Sequence, residues 1–297
     1  MLSAQGRKGE MTEMDLTDLV DTHFHLWNLK KFQYAWPDAD VPILFRDINI
    51  EEYAEETRDT TFRHAVFVQV LNNCPEETKW LLKLAKTHPF LKGVVGGIDL
   101  TSPDLEKTLD ELSMDPKFVG TRHILDFEKE DWLTREDVKK GLGILEKKGL
   151  TFDLLLRPHL LKHVPSLGAQ FPNLKMVVDH IAKPFIKDGK MEGWKEDMEK
   201  IAKCPNISCK LSGLVTEADL KDWKVEDFVP YVKHVMKIFG VDRCFFGSDW
   251  PVSLMAGASF QKVFQVLQDI LKKLDVTEED QIKIFRENAI KFYNLKI

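Results

Sequence analysis

Eight short runs rich in aliphatic, β-branched and aromatic residues recur along this chain, and charged segments of helical period separate several of them. The runs are LVDTHFHLW (19–27), HAVFVQV (64–70), LKGVVGGIDL (91–100), KFVGTRHIL (117–125), LTFDLLL (150–156), LKMVVDHI (174–181), NISCKLSG (206–213) and RCFFGSDW (243–250). Each has the length and composition of a strand. Between them PEETKWLLKLAKTH (75–88), SPDLEKTLDELS (102–113), TREDVKKGLGILEKKG (134–149) and VEDFVPYVKHVMKIFG (225–240) read as helices. Several start on Asp, Ser, Thr or Pro and stop near Gly, as helix-end chemistry requires. Strand and helix alternating eight times predict an α/β fold, a single (β/α)8 TIM barrel with a parallel sheet closed on itself. A doubly wound open sheet is the alternative, and it usually has fewer strands and a glycine-rich phosphate turn after the first. No G-x-G-x-x-G follows the first run and no G-x-x-x-x-G-K-[ST] occurs anywhere, so no nucleotide cofactor is indicated.

No internal repeat or low-complexity linker divides the 297 residues, and one domain over 16–297 is expected after a polar, flexible N-terminal tail, 1–15. The stretch from Trp27 to about Ile50 is too long for an ordinary βα connection and reads as a loop or lid over one barrel face. SFQKVFQVLQDILKKL (259–274) and TEEDQIKIFRENAIKFYNL (277–295) read as extra closing helices. With 43% apolar and 30% charged residues the chain has the make-up of a soluble globular protein. A formal charge of −6 without a clustered basic excess argues against nucleic acid as a partner. The chain has no run of about 20 apolar residues and no apolar centre in its first twenty. That predicts no membrane association and a cytoplasmic location. Cys74, Cys204, Cys209 and Cys244 lack C-x-x-C spacing and read as reduced thiols.

In a parallel barrel the site is built where strands end, so polar residues at those ends are the informative ones. Asp21, His23 and His25 alternate along the first run, which in an extended strand puts all three on one face. Two imidazoles so placed can chelate one divalent metal. Taken alone, His-x-His reads more readily as two structural histidines. The balance shifts because His180 ends the sixth run, Asp249 the eighth, and Arg122 with His123 the fourth. Asp153 and Arg157 flank the fifth, and Lys210 with Ser212 mark the seventh. Ionisable groups are costly in apolar strands unless paired or metal-bound, so their convergence points to a shared site. The bland readings are a strand-end cap for His180, a turn cap for Asp249, and salt bridges from Arg122 or Lys210 to Asp153. His64, His88, His159, His163 and His234 fall at strand starts or on helical segments and read as structural or exposed.

DTHFHLW, DHIAKP and FGSDWPV, in that order, with VGTRHIL, FDLL and KLSGL between them, resemble the amidohydrolase superfamily and, within it, the sugar-lactone hydrolases. The likeness runs from about Leu19 to the C-terminus. It implies His23, His25 and Asp249 as metal ligands, with His180 a further candidate, and Asp249 and His180 as the catalytic pair. Thr121-Arg122-His123 offers no bridging carboxylated lysine and Asp153 stands where a ligand histidine is common, so one zinc, loosely held or dispensable, is expected rather than two metals. The implied activity is the opening of a small-molecule lactone, of the L-fucono-1,5- or L-rhamnono-1,4-lactone type, by water that Asp249 deprotonates. Arg122, His123, Asp153, Arg157 and Lys210 are expected to bind substrate polar groups, with Trp27, Trp36 or Trp250 on the ring face. Two rivals are a metal-dependent decarboxylase of an unsaturated or aromatic acid and a catalytically silent ligand-binding barrel.

Overall fold

The computed structural model describes residues 16–297, so the expected tail at 1–15 lies outside the described residues. Eight parallel strands follow one another around the sheet in sequence order. They are β1 (Leu19–Phe24), β2 (Phe62–Val68), β3 (Leu91–Gly97), β4 (Phe118–Ile124), β5 (Thr151–Leu155), β6 (Met176–Val178), β7 (Ile207–Leu211) and β8 (Cys244–Phe246). Just beyond β8 the ring closes onto β1: Asp249 N donates to His23 O at 2.7 Å and His25 N to Trp250 O at 2.8 Å. The eight expected strands are therefore present, and the fold is a (β/α)8 TIM barrel. β6 and β8 are three residues each, shorter than their apolar runs, because the chain turns out of the sheet to present Asp179 and Asp249.

The helices are α1 (Ile50–Thr57), α2 (Pro75–Thr87), α3 (Leu105–Leu112), α4 (Glu136–Lys148), α5 (Val164–Gln170), α6 (Trp194–Ile201), α7 (Val225–Phe239), α8 (Phe260–Lys273), α9 (Glu278–Ile282) and α10 (Asn288–Tyr293). Local chemistry sets several ends. Asn49 and Glu52 form a reciprocal capping box on α1, Ser259 caps α8, and Thr277 caps α9. α9 passes through a π turn (Lys283–Glu287) into α10. The 259–274 segment is thus one helix, and the 277–295 segment is a helix with one widened turn. Among the described residues no helix is long and apolar enough to cross a membrane.

Alternation along the strands sorts two apolar clusters. Phe67 joins the large cluster between sheet and helices, whereas its neighbours Val66 and Val68 join a smaller one with Val20, Val95, Val177 and Phe245. Phe292, Tyr293 and Leu295 complete that smaller cluster, so the C-terminal helix closes the interior of the barrel from below. Simple alternation fails in β1. Its register against β2 shifts between Asp21 and Phe24, and Asp21 does not share a face with the histidines. It accepts hydrogen bonds from Tyr53 of α1 at 2.9 Å and from the Ser248 amide and hydroxyl at 2.8 and 2.7 Å, tying β1 to the turn after β8.

Candidate active site

His23 is the penultimate residue of β1 and His25 follows the strand, His180 follows β6, and Asp249 follows β8; all four are buried. Asp249 Oδ1 is the meeting point, 3.3 Å from His25 Nε2, 3.7 Å from His180 Nε2 and 4.0 Å from His23 Nε2. Unusual backbone makes this possible. Asp249 has φ +56°, and His180, Ile181, Ala182 and Lys183 form four consecutive left-handed residues with φ between +47° and +61°. Outside glycine that conformation costs about 1–2 kcal/mol per residue, and such strain concentrates at functional sites. Gly213 makes room for the turned His180: a Cβ there would lie 2.6 Å from the imidazole ring.

His25 and His180 are each fixed by the nitrogen that faces away from Asp249. Val68 O is an acceptor only, so His25 Nδ1 at 2.7 Å carries the proton and donates to it, leaving the Nε2 lone pair facing Asp249. His180 Nδ1 pairs with Ser212 Oγ at 2.8 Å. His23 has a cationic donor on each side, Arg122 Nη1 at 3.1 Å from Nε2 and Lys210 Nζ at 3.2 Å from Nδ1, with Asp179 Oδ1 3.5 Å from Nδ1. Burial lowers the pKa of all three, His23 well below the ordinary histidine value and His180 to about 4, so the imidazoles are neutral at pH 7. Burial opposes the charge of Asp249, yet its pKa lies below the usual carboxylate value, with the Lys183 ammonium among the groups that favour the anion.

Beneath this layer runs a buried ion network. Lys210 Nζ lies 2.6 Å from Asp153 Oδ2, 3.0 Å from Asp179 Oδ1 and 3.2 Å from His23 Nδ1. Arg122 Nη1 lies 3.1 Å from Asp179 Oδ2, and its other amino group donates to Gln69 O. Tyr293 of α10 donates to Asp153 at 2.9 Å from the barrel floor. Buried ions survive only when paired, and here two cations meet two carboxylates. Burial works against the Asp179 carboxylate, but Lys210, His23 and Arg122 hold its pKa well below the usual range. Asp153 is pushed up to about 6 by burial, with Lys210 opposing.

Above the layer opens a cavity of about 280 Å³, near the lower end of the ~300–1,000 Å³ typical of small-ligand sites. His25, Arg122, Arg157, His180 and Asp249 line it, as does Trp36 from the long β1–α1 loop. Five expected substrate contacts do not. Asp153 and Lys210 are fully buried below, spent on each other. His123 alternates with Arg122 on β4, so it faces the other way, stacked 4.2 Å from Trp132 and bonded to Glu128 at 2.8 Å. Trp27 is packed in the core with Nε1 donating to Arg46 O at 2.6 Å, and Trp250 packs edge-on against Tyr53. In their place the cavity is lined by Asp126, Lys183 and Glu217. Lys183 belongs to the DHIAKP motif and was legible there; Asp126 and Glu217 are single acids in loops with no local pattern.

Residues 20–295 match the amidohydrolase family, and the chain belongs to it. An L-fucono-1,5-lactonase of Burkholderia ambifaria is 36% identical over 82% of this chain and 83% of that one. An L-rhamnono-gamma-lactonase of Scheffersomyces stipitis is 28% identical over 93% and 98% respectively. An amidohydrolase of Burkholderia multivorans, solved with bound zinc, superposes with a TM-score of 0.87 at 27% identity, covering 94% of this chain and 99% of its own.

His23, His25 and Asp249 each offer one ligand atom, all within 4.8 Å of one another. Tetrahedral zinc with bonds of about 2.0–2.1 Å separates its ligand atoms by about 3.4 Å. The 3.3 Å between His25 Nε2 and Asp249 Oδ1 matches this, and there a bare lone pair faces a carboxylate, an arrangement that a cation between them relieves. The residues therefore fit one divalent cation, with Arg122 Nη1 competing for His23 Nε2.

Proposed function

We propose that the protein hydrolyses a sugar lactone, of the L-fucono-1,5- or L-rhamnono-1,4-lactone type, to the aldonic acid. The observation that carries this reading is the ionised Asp249 carboxylate at the cavity wall, encircled by three neutral imidazoles and flanked by the Arg122 guanidinium. The two named lactonases among the relatives support it.

A lactone is an ester, and opening it needs a deprotonated water, a stabilised oxyanion and a proton for the departing alkoxide. Asp249 takes the water's proton and, once protonated, returns it to the alkoxide oxygen. Arg122, held by its ion pair with Asp179, places positive charge beside the cavity where the carbonyl oxygen becomes negative. His180, fixed by Ser212, orients the attacking water through Nε2. A divalent cation held by His23, His25 and Asp249 would add Lewis acidity at the same carbonyl. The Lys210–Asp153–Asp179 network holds His23 and Arg122 in place and does not itself touch substrate.

The test is proton release by chelator-treated protein on a panel of L- and D-sugar 1,4- and 1,5-lactones, with and without added zinc. Rapid opening of one stereochemical series is expected. No opening of any lactone, with zinc restored, would remove the reading.

A further inference from the structure

Four charged residues on the cavity wall have no part in the chemistry above. Asp126 follows β4, Arg157 follows β5, Lys183 follows β6 and Glu217 follows β7, so four successive βα loops contribute one each. They are linked in a chain. Asp126 Oδ2 lies 3.1 Å from Lys183 Nζ and 3.3 Å from Arg157 Nε, and Arg157 Nη1 lies 3.2 Å from Glu217 Oε2. The histidines and Asp249 come from the strand ends of β1, β6 and β8, so the cavity has a reacting side and a separate ionic side.

We propose that Asp126, Arg157, Lys183 and Glu217 recognise the ring hydroxyls of the substrate and, having no net charge among them, select an uncharged polyhydroxy lactone over one that bears a carboxylate. This rests on the lactonase reading and names its substrate class. The linkages leave bonding capacity over. Asp126 Oδ1 is buried with no hydrogen-bond partner, and only one Glu217 oxygen is engaged. Lys183 has three donors and Arg157 five, of which the chain of contacts uses one and two. A hydroxyl both donates and accepts, so adjacent hydroxyls match a wall on which carboxylates alternate with cations. A carboxylate can only accept, and it would meet Asp126 and Glu217 as well as the cations. Trp36, Val252 and Met255 supply apolar lining for the carbon face of the ring. Sites that bond substrate hydroxyls discriminate strongly, because a mismatched substrate leaves their buried polar groups unpaired.

The experiment compares kcat/KM for L-galactono-1,4-lactone, for galactaro-1,4-lactone, which carries a carboxylate, and for δ-valerolactone, which has no hydroxyls. The wild-type protein is expected to favour the neutral sugar lactone over each of the others by at least about a hundredfold. Asp126→Asn and Glu217→Gln each leave a net positive wall, and each is expected to shrink the preference over the carboxylate by at least about tenfold. General damage to the fold lowers all three rates together and leaves the ratios standing. A wild-type protein indifferent to the carboxylate, or ratios unmoved in both variants, overturns the proposal. If no lactone is opened, the lactonase reading fails by itself, and calorimetric binding of galactose and galacturonate, neither an ester, decides the wall. Preference for galactose that shrinks in Asp126→Asn upholds it, and equal or absent binding of both overturns it.

Discussion

At the scale of single residues, the site depends on side chains whose ionisation is set by burial. Asp249 sits at φ +56°, a conformation that asparagine also adopts readily, so Asp249→Asn preserves the backbone while removing the proton acceptor. It is expected to fold with an unchanged far-ultraviolet dichroism spectrum and to lose at least about a hundredfold in kcat on the best lactone. Normal turnover in the folded variant would exclude Asp249 as the base. Glu77, in the first turn of α2, gives a separate prediction. Burial raises its carboxyl pKa to about 8, and neither oxygen closes a hydrogen bond, although Tyr34 and Asn72 stand near. Between about pH 4.5 and pH 8 the native state holds a proton that the unfolded chain has released, so this group makes stability fall as pH rises through that window. Glu77→Gln is expected to raise the melting temperature at pH 8 and to change it little near about pH 3.5, where both states are protonated. A melting temperature lowered equally at both pH values would contradict this.

At the scale of elements, the C-terminal helix does more than cover the barrel. Tyr293 reaches up from α10 to Asp153, and through Lys210 that contact extends to Asp179 and His23. Tyr293→Phe leaves Asp153 with one fewer donor in a buried setting and is expected to cost about 1–3 kcal/mol in urea unfolding. A loss below about 0.5 kcal/mol would mean that Lys210 alone satisfies the carboxylate. The elements themselves were largely legible. Apolar runs marked all eight strands, and the four quoted helical segments each contain a helix, because period and end chemistry are local properties. α1, α5 and α6, of eight, seven and eight residues, were not singled out, although α3 is no longer and was. The long β1–α1 connection was legible by length, but that Trp36 rather than Trp27 reaches the cavity was not. Trp27 is drawn into the core by its pairing with Ile48.

At the scale of the whole molecule, the barrel is closed around two apolar clusters, and a metal adds to a scaffold that is already formed. Chelation is therefore expected to leave the dichroism spectrum intact, and zinc at a hundredfold over its Kd to add about 2.7 kcal/mol by mass action, raising the melting temperature by a few degrees. His25→Ala should abolish that rise; an undiminished rise in calorimetry would place the zinc elsewhere.

Sequence by itself determined the alternation of strands and helices, hence the barrel, and it placed His23, His25, His180, Arg122 and Asp249 at strand ends, where the closed sheet brings them together. Those are consequences of period and position along the chain. Tertiary structure alone decided which polar residues face the cavity. Asp21 left the set because a register shift in β1 broke the alternation, His123 because neighbouring strand residues point to opposite faces, and Asp153 and Lys210 because they neutralise each other one layer down. Asp126 and Glu217 entered it from loops that carry no period at all, and their meeting with Arg157 and Lys183 joins residues up to 60 positions apart, which only the closed barrel brings about.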